Sequence, residues 1–312
     1  MTSLARTILL SLGVLLSTQA RALTPDEVDA AKSFMLNNSV YVLYHEIGHL
    51  FVGEFELPVL GKEEDAADNL ATLLLLAEDN EASADALTDA ANGWYLSEYS
   101  DEATSYENAD FYDNHSLDIQ RSFAIVCLMV GSDAQKFGPI ADEFELDKDR
   151  QAGCSEDFAQ AVNSWDSLLK RNERQDKAGK SIKVVYESGG EDYEMVVAEL
   201  KKNRFLELAA SMVTDSYVLP RKVQFTGKLC DEANAYYDPS SGEIIFCYEL
   251  ADYFFGLMSK SFELEDGDET VAEEADEEEY EDTDEDAYED AGADEEDDAI
   301  TRIRNKLSGS AE

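Results

Sequence analysis

Val40-Tyr41-Val42-Leu43-Tyr44-His45-Glu46-Ile47-Gly48-His49-Leu50-Phe51-Val52 is the stretch from which the rest of this 312-residue chain can be read. Asn38 or Ser39 can cap its start, Gly53 marks its end, and the apolar residues between them predict a helix. Upstream, residues 26–33 read as a shorter helix. Downstream, Leu57-Pro58-Val59-Leu60-Gly61 is a connector punctuated by Pro and Gly. Glu63 then opens a helix to residue 76, with acidic residues in its first turn where the helix dipole favours them. Residues 82–99, 115–130 and 157–174 follow as helices. Beyond Lys180 the pattern changes, with a strand at 182–186, a helix at 193–212, a strand at 222–225, a hairpin between Cys230 and Cys247, and a last helix at 248–258. Helices dominate, and a small antiparallel sheet is expected in the second half. The fold class is α+β.

His45-Glu46-Ile47-Gly48-His49 carries the chemistry. Residues four apart share one helical face, so both imidazoles can grip one metal ion. Glu46 then stands beside the attacking water, where it can take a proton and pass it to the leaving amine. Gly48 is a poor helix former, and close approach of another backbone would account for it. The chain has only three histidines, and two fall at this spacing. A catalytic zinc takes three protein ligands and a water. If the connector reverses the chain, the first turns of the 63–76 helix face the metal. Glu64 and Asp68 share a face there, so one can ligate while the other orients a ligand histidine. Glu64 is the preferred third ligand, with Asp65 and Asp68 as substitutes, and Ala66 and Ala67 would let the two helices approach closely.

Composition bounds the partners. The chain carries 70 acidic and 24 basic residues, a formal net charge of −46. Such a surface repels phosphate backbones and anionic lipid, which argues against nucleic-acid or membrane-surface binding. Residues 263–298 hold 23 acidic residues and no Lys or Arg. A segment of that kind cannot bury enough surface to offset the entropy of ordering, so residues 263–312 read as a disordered acidic tail. At the other end, Arg6, the apolar run 8–16 and Ala20-Arg21-Ala22 have the form of a secretory signal peptide, residues 1–22. The run is too short to span a bilayer. The mature domain, residues 23–262, should be exported to the periplasm or secreted, with no stable membrane insertion.

Export makes the four cysteines informative, because an even count in an oxidising compartment suggests disulfides. Cys230 and Cys247 flank a strand–turn–strand pattern centred on Asp238-Pro239-Ser240-Ser241-Gly242, which favours a cross-strand bond. That leaves Cys127 with Cys154.

The motif and its sequel, Glu64-Asp65-Ala66-Ala67-Asp68, resemble the HExxH…ExxAD arrangement of gluzincin-type zinc peptidases. The run from Tyr44 to Leu76 resembles more closely still a bacterial family of uncharacterised metallopeptidases. Asn114-His115-Ser116-Leu117-Asp118-Ile119-Gln120-Arg121 and the hairpin region add to that likeness, which covers roughly residues 30–255. The resemblance implies a zincin-like peptidase with Zn2+ as cofactor and a peptide or protein substrate, with Glu64 as third ligand and Asp68 behind a ligand histidine. His115 is the candidate to stabilise a tetrahedral oxyanion, as a His or Tyr does in many zinc peptidases. Asn234-Ala235-Tyr236-Tyr237 resembles the Asn-Ala-aromatic edge strand that binds substrate backbone in neprilysin-type peptidases, although there it precedes the HExxH helix. The reading is a zinc peptidase with Glu46 as base and acid. The alternative is a non-catalytic metal-binding protein or an acidic envelope scaffold.

Overall fold

Thr24 opens the first helix with a reciprocal cap, its hydroxyl accepting from the Glu27 amide while the Glu27 carboxylate accepts from the Thr24 amide. From there α1, Pro25–Glu54, runs 30 residues without a break. The expected interruption at Asn38 and Ser39 is absent. Both side chains bond back to the preceding turn, Asn38 Nδ2 to the Phe34 carbonyl at 2.9 Å and Ser39 Oγ to the Met35 carbonyl at 2.7 Å, so neither is free to cap a new helix. The computed structural model describes residues 22–98, 106, 111–175 and 182–272; the signal-peptide reading at 1–22, all but its last residue, and most of the acidic-tail reading lie outside them.

Helices α2 (Glu63–Glu78) and α3 (Glu81–Glu98) pack against α1, followed by α4 (Asp118–Ser132), α5 (Ala134–Glu143) and α6 (Lys148–Leu169). Helix α6 starts earlier than the sequence pattern indicated, because Asp147 caps it by accepting from the Asp149 and Arg150 amides. Helix α5, capped by Asp133, lies where no element was expected, with Gly138 and Pro139 masking its pattern. The 193–212 helix is in fact two, α7 (Glu194–Lys202) and α8 (Phe205–Ser216), separated at Arg204, whose φ of 52° turns the chain.

Strands β1 (Lys183–Tyr186), β2 (Gln224–Lys228), β3 (Ala235–Asp238) and β4 (Glu243–Cys247) form one sheet in the order β1-β2-β4-β3. The class is α+β as expected, but the sheet is mixed rather than antiparallel. Only the β3–β4 hairpin is antiparallel; β1 with β2 and β2 with β4 are parallel. The α7–α8 crossover accounts for the first parallel pair, since a helical return brings the chain back to the same end of the sheet. Helix α9, Tyr248–Ala272, extends past the expected end at 258, with Leu257, Met258 and Phe262 still buried. Among the described residues no helix is long and apolar enough to cross a membrane.

Helix α1 is the axis of the core. Phe34, Met35, Leu43, Ile47, Leu50 and Phe51 are fully buried along it, which is the signature of an interior helix rather than an amphipathic surface one. A Cβ on Gly48 would stand 2.8 Å from the Ala67 Cα, so glycine is what permits α1 and α2 to cross at backbone contact. Disulfides join Cys127 to Cys154, between α4 and α6, and Cys230 to Cys247, across the hairpin base; among the described residues no cysteine is free. Both pairings are those expected, and they imply an oxidising environment.

Candidate metal centre

The close α1–α2 crossing sets the first turns of α2 against the HExxH turns of α1. His45 Nε2 and His49 Nε2 lie 3.1 Å apart. Glu64 Oε2 is 3.2 Å from the first and 3.0 Å from the second. His115 Nε2 is 3.1 Å from the same oxygen. One atom each from His45, Glu64 and His115 falls within 4.8 Å of the others. His115 does not begin a helix as expected. It sits in the loop before α4, which starts at Asp118.

Behind the imidazoles stand carboxylates. His45 Nδ1 meets Asp68 Oδ1 at 2.7 Å, and His49 Nδ1 meets Glu63 Oε1 at 2.9 Å. Asp68 is in turn gripped by Arg121, whose Nε and second guanidinium nitrogen donate to its two oxygens at 2.7 and 2.9 Å. The guanidinium carbon stacks 3.6 Å above the Trp94 ring. Asp65 points elsewhere and accepts from Ser116 Oγ at 2.7 Å.

Glu46 is buried beside this cluster. The Tyr237 backbone of β3 lies near its carboxylate, and among the described residues Oε2 has no hydrogen-bond partner. Its position is fixed by the way β3 abuts α1: the Tyr237 ring lies 3.0 Å from where a Gly53 Cβ would stand, and its hydroxyl bonds to Glu54, which Arg221 Nε also reaches at 2.6 Å. Asn234 and Ala235 thus come beside the HExxH helix in space. Together with His45, Glu46, His49 and His115 they line an open cleft of about 910 Å3. A second cleft of about 260 Å3, with Trp94, Leu250 and Phe254 in its wall, adjoins the same histidine pair of His45 and His115.

The electrostatics follow from these contacts. His115, His45 and His49 hold the Glu64 carboxyl well below the usual carboxylate range. Burial would raise Asp68, but the Arg121 and His45 charges outweigh it and keep the carboxyl well below its ordinary value. Burial pushes Glu46 upward, offset only in part by His45 and His49. Burial pulls His45 down, yet its bonds to Asp68 and Glu64 prevail and raise it to about 9.

These residues fit a divalent metal ion. A carboxylate at Nδ1 can only accept, so it places the ring proton there and turns the Nε2 lone pair toward the common point. The Nε2 atoms and the Glu64 oxygen gathered at 3.0–3.2 Å share protons while the rings carry them, and once deprotonated they present converging lone pairs to a cation. Ligand atoms around an ion with bonds of about 2.0–2.2 Å stand at about that separation.

Arg121 and Glu63 had no assigned role in the sequence reading. Arg121 carried a signal: it falls on the apolar stripe of α4 with Ile125 and Leu128, where an unpaired cation would be costly. Tyr237 was named only as part of the Asn-Ala-aromatic strand, and its approach to Glu46 and Glu54 carried no sequence signal.

The sequence matches the model of the DUF4344 family, described as putative metallopeptidase, over residues 11–169 and 186–287. No curated protein and no solved structure gives a match. The matched residues span most of the chain and include α1, α2, the His115 loop and β3. The chain therefore belongs to the DUF4344 family of putative metallopeptidases.

Proposed function

We propose that the protein is an exported zinc peptidase in which His45, His49 and Glu64 hold the metal and Glu46 moves the proton. The observation that carries this reading is the buried Glu46 Oε2, without a partner, beside three converging metal-ligand atoms. An orphaned buried carboxylate oxygen is costly unless a ligand completes it, and a water poised for attack is such a ligand. Two imidazoles and one carboxylate form a known catalytic zinc set with room for a further ligand.

When bound, zinc supplies Lewis-acid polarisation of the scissile carbonyl and lowers the pKa of the attacking water. Glu46 accepts the water proton at Oε2 and delivers it to the departing amine. The Tyr237 backbone of β3 lies beside the Glu46 carboxylate and favours its charged form, against the upward push of burial. The upward push of burial on Glu46 moves it toward the range where a carboxylate is a useful base near neutral pH. Asp68 and Glu63 fix the tautomers and planes of His45 and His49.

The substrate lies along β3, the edge strand of the sheet. Cys247 N bonds to the Asn234 carbonyl and Gly242 N to the Asp238 carbonyl, which mark Asn234 and Asp238 as facing β4. By alternation the backbone groups of Ala235 and Tyr237 face the cleft. The Asn234 Oδ1 takes the Ala235 amide at 2.8 Å, and the Tyr237 backbone lies beside the Glu46 carboxylate. The Ala235 carbonyl is then the acceptor left for a substrate amide beside the metal, and the exposed Asn234 side-chain amide offers a donor. The two disulfides and the signal-peptide pattern support export to the periplasm or outside the cell. Residues 23–262 are the catalytic domain, and 263–312 a solubilising acidic tail.

Glu46→Gln tests the mechanism. The variant keeps the shape of the side chain and should retain fold and zinc, while peptide hydrolysis falls by about 10²–10⁴-fold. Hydrolysis at the wild-type rate would refute the role of Glu46.

A further inference from the structure

The chain has three histidines, and all three present the same geometry. Each turns Nε2 to the Glu64–His45 point, and each sets Nδ1 against a carboxylate: Asp68 for His45, Glu63 for His49, and Asp113 at 3.2 Å for His115. That carboxylate–histidine pairing is the habitual outer shell of a metal-ligating imidazole. We propose that His115 is a fourth protein ligand of the same metal ion, and that it is the ligand a substrate displaces. The proposal rests on the zinc reading above.

Its backbone is held for the task. Lys62, the residue before α2, donates through Nζ to the His115 carbonyl at 2.8 Å. Asp113 Oδ1 accepts the His115 amide at 2.8 Å as well as bonding the ring. Ser116 Oγ ties the next residue to Asp65 of α2. The loop is therefore anchored to the very turn that carries Glu64, and the imidazole and the carboxylate keep their mutual position without metal.

The four ligands are not equivalent. The side chains of His45, His49 and Glu64 are 6, 16 and 20 % exposed and come from helices. That of His115 is 49 % exposed and comes from a loop. His115 also lines both clefts, standing where they meet beside His45 and Glu46. Four protein ligands close a tetrahedral site, whereas catalysis needs an open position. The ligand that yields is the one held least by packing. The resting site is thus capped, and a peptide entering along β3 replaces the cap.

The test uses the full mature protein, stripped of metal and reloaded with Zn2+ alone. X-ray absorption at the zinc edge counts imidazoles directly: the expected result is three in wild type and two in His115→Ala. Zinc affinity in that variant should drop by at least about tenfold, the lower end of what loss of an outer-shell partner costs. Added free imidazole should restore the third scatterer, and thermal melting of the apo forms checks that the variant folds. Two imidazoles in both proteins with unchanged affinity would overturn the proposal and leave His115 facing substrate alone, with the zinc reading intact. Wild type that takes up no zinc, as His45→Ala should not, would overturn both.

Discussion

Asp68 and Asp89 are both buried behind α1, each 8 % exposed, yet their electrostatic fates are opposite. Asp68 on α2 meets the Arg121 guanidinium through both oxygens and the His45 ring, and its carboxyl is held well below the ordinary range. Asp89 on α3 has a neutral partner, Asn37 Nδ2 at 2.7 Å, with the like charge of Asp85 nearby; burial pushes it up to about 7. Desolvation acts on both. What separates them is whether a cation shares the buried site. The difference marks function: Asp68 stays charged to orient a ligand, while Asp89 is a polar residue that the helix interface tolerates.

Arg121 is the residue that creates this contrast, so removing it should produce the largest stability change. Arg121→Met leaves Asp68 buried without its cation, and breaking such a pair from one side costs about 3–5 kcal/mol. Denaturant unfolding of the apo protein measures it. Because the cost is that of an uncompensated charge, Asp68→Asn in the same chain should recover a large part. If Arg121→Met loses less than about 1 kcal/mol, the Asp68–Arg121 pair is not what distinguishes the two aspartates.

The metal side of the comparison gives graded effects along α2. Glu64→Ala removes a proposed ligand and should release most of the zinc. Asp68→Ala frees the His45 ring and should weaken binding by about 10–100-fold while leaving an occupied site. Asp65→Ala removes the acceptor of Ser116 Oγ rather than a group facing the imidazoles and should matter least. Zinc titrations of the three variants rank them. Should Asp68→Ala empty the site while Glu64→Ala does not, the ligand is Asp68 and the assignment reverses.

What the sequence revealed of this arrangement was local. The i, i+4 spacing of His45 and His49 and the shared face of Glu64 and Asp68 are properties of single helices, and the hairpin that brings Cys230 to Cys247 is one turn long. Gly48 and Ala67 hinted at a close crossing, which the fold contains. The parts that were not legible depend on distant chain. Arg121 lies 53 residues from Asp68, and its role exists only once α4 packs on α2. The parallel pairing of β1 and β2 follows from the crossover helices rather than from strand composition. Asn38 and Ser39 are good caps in isolation, but each has a carbonyl one turn back within reach, and the continuous α1 prevails. Asn234 and Ala235 were recognisable by likeness, whereas their placement against Glu46 needed the whole hairpin to dock on α1.

The smallest expected effect is a gain, and it comes from the other aspartate. Folding raises the Asp89 pKa from 3.8 to about 7, so the folded chain binds this proton more tightly than the unfolded chain does. Stability linked to Asp89 is therefore complete below about pH 4, declines as pH rises, and is lost once pH passes about 7. Asp89→Asn cannot ionise and can still accept from Asn37 through its amide oxygen. At pH 8 it should stabilise the protein by roughly 1–2 kcal/mol, less than the full linkage because the new amide hydrogens need partners of their own. At pH 4 the two proteins should melt alike or the variant slightly lower. Zinc affinity should not change, since Asp89 touches no residue of the centre. Melting curves of both proteins across pH 4–8 decide the point: parallel curves would mean that Asp89 finds a compensating cation, and the contrast with Asp68 would fail.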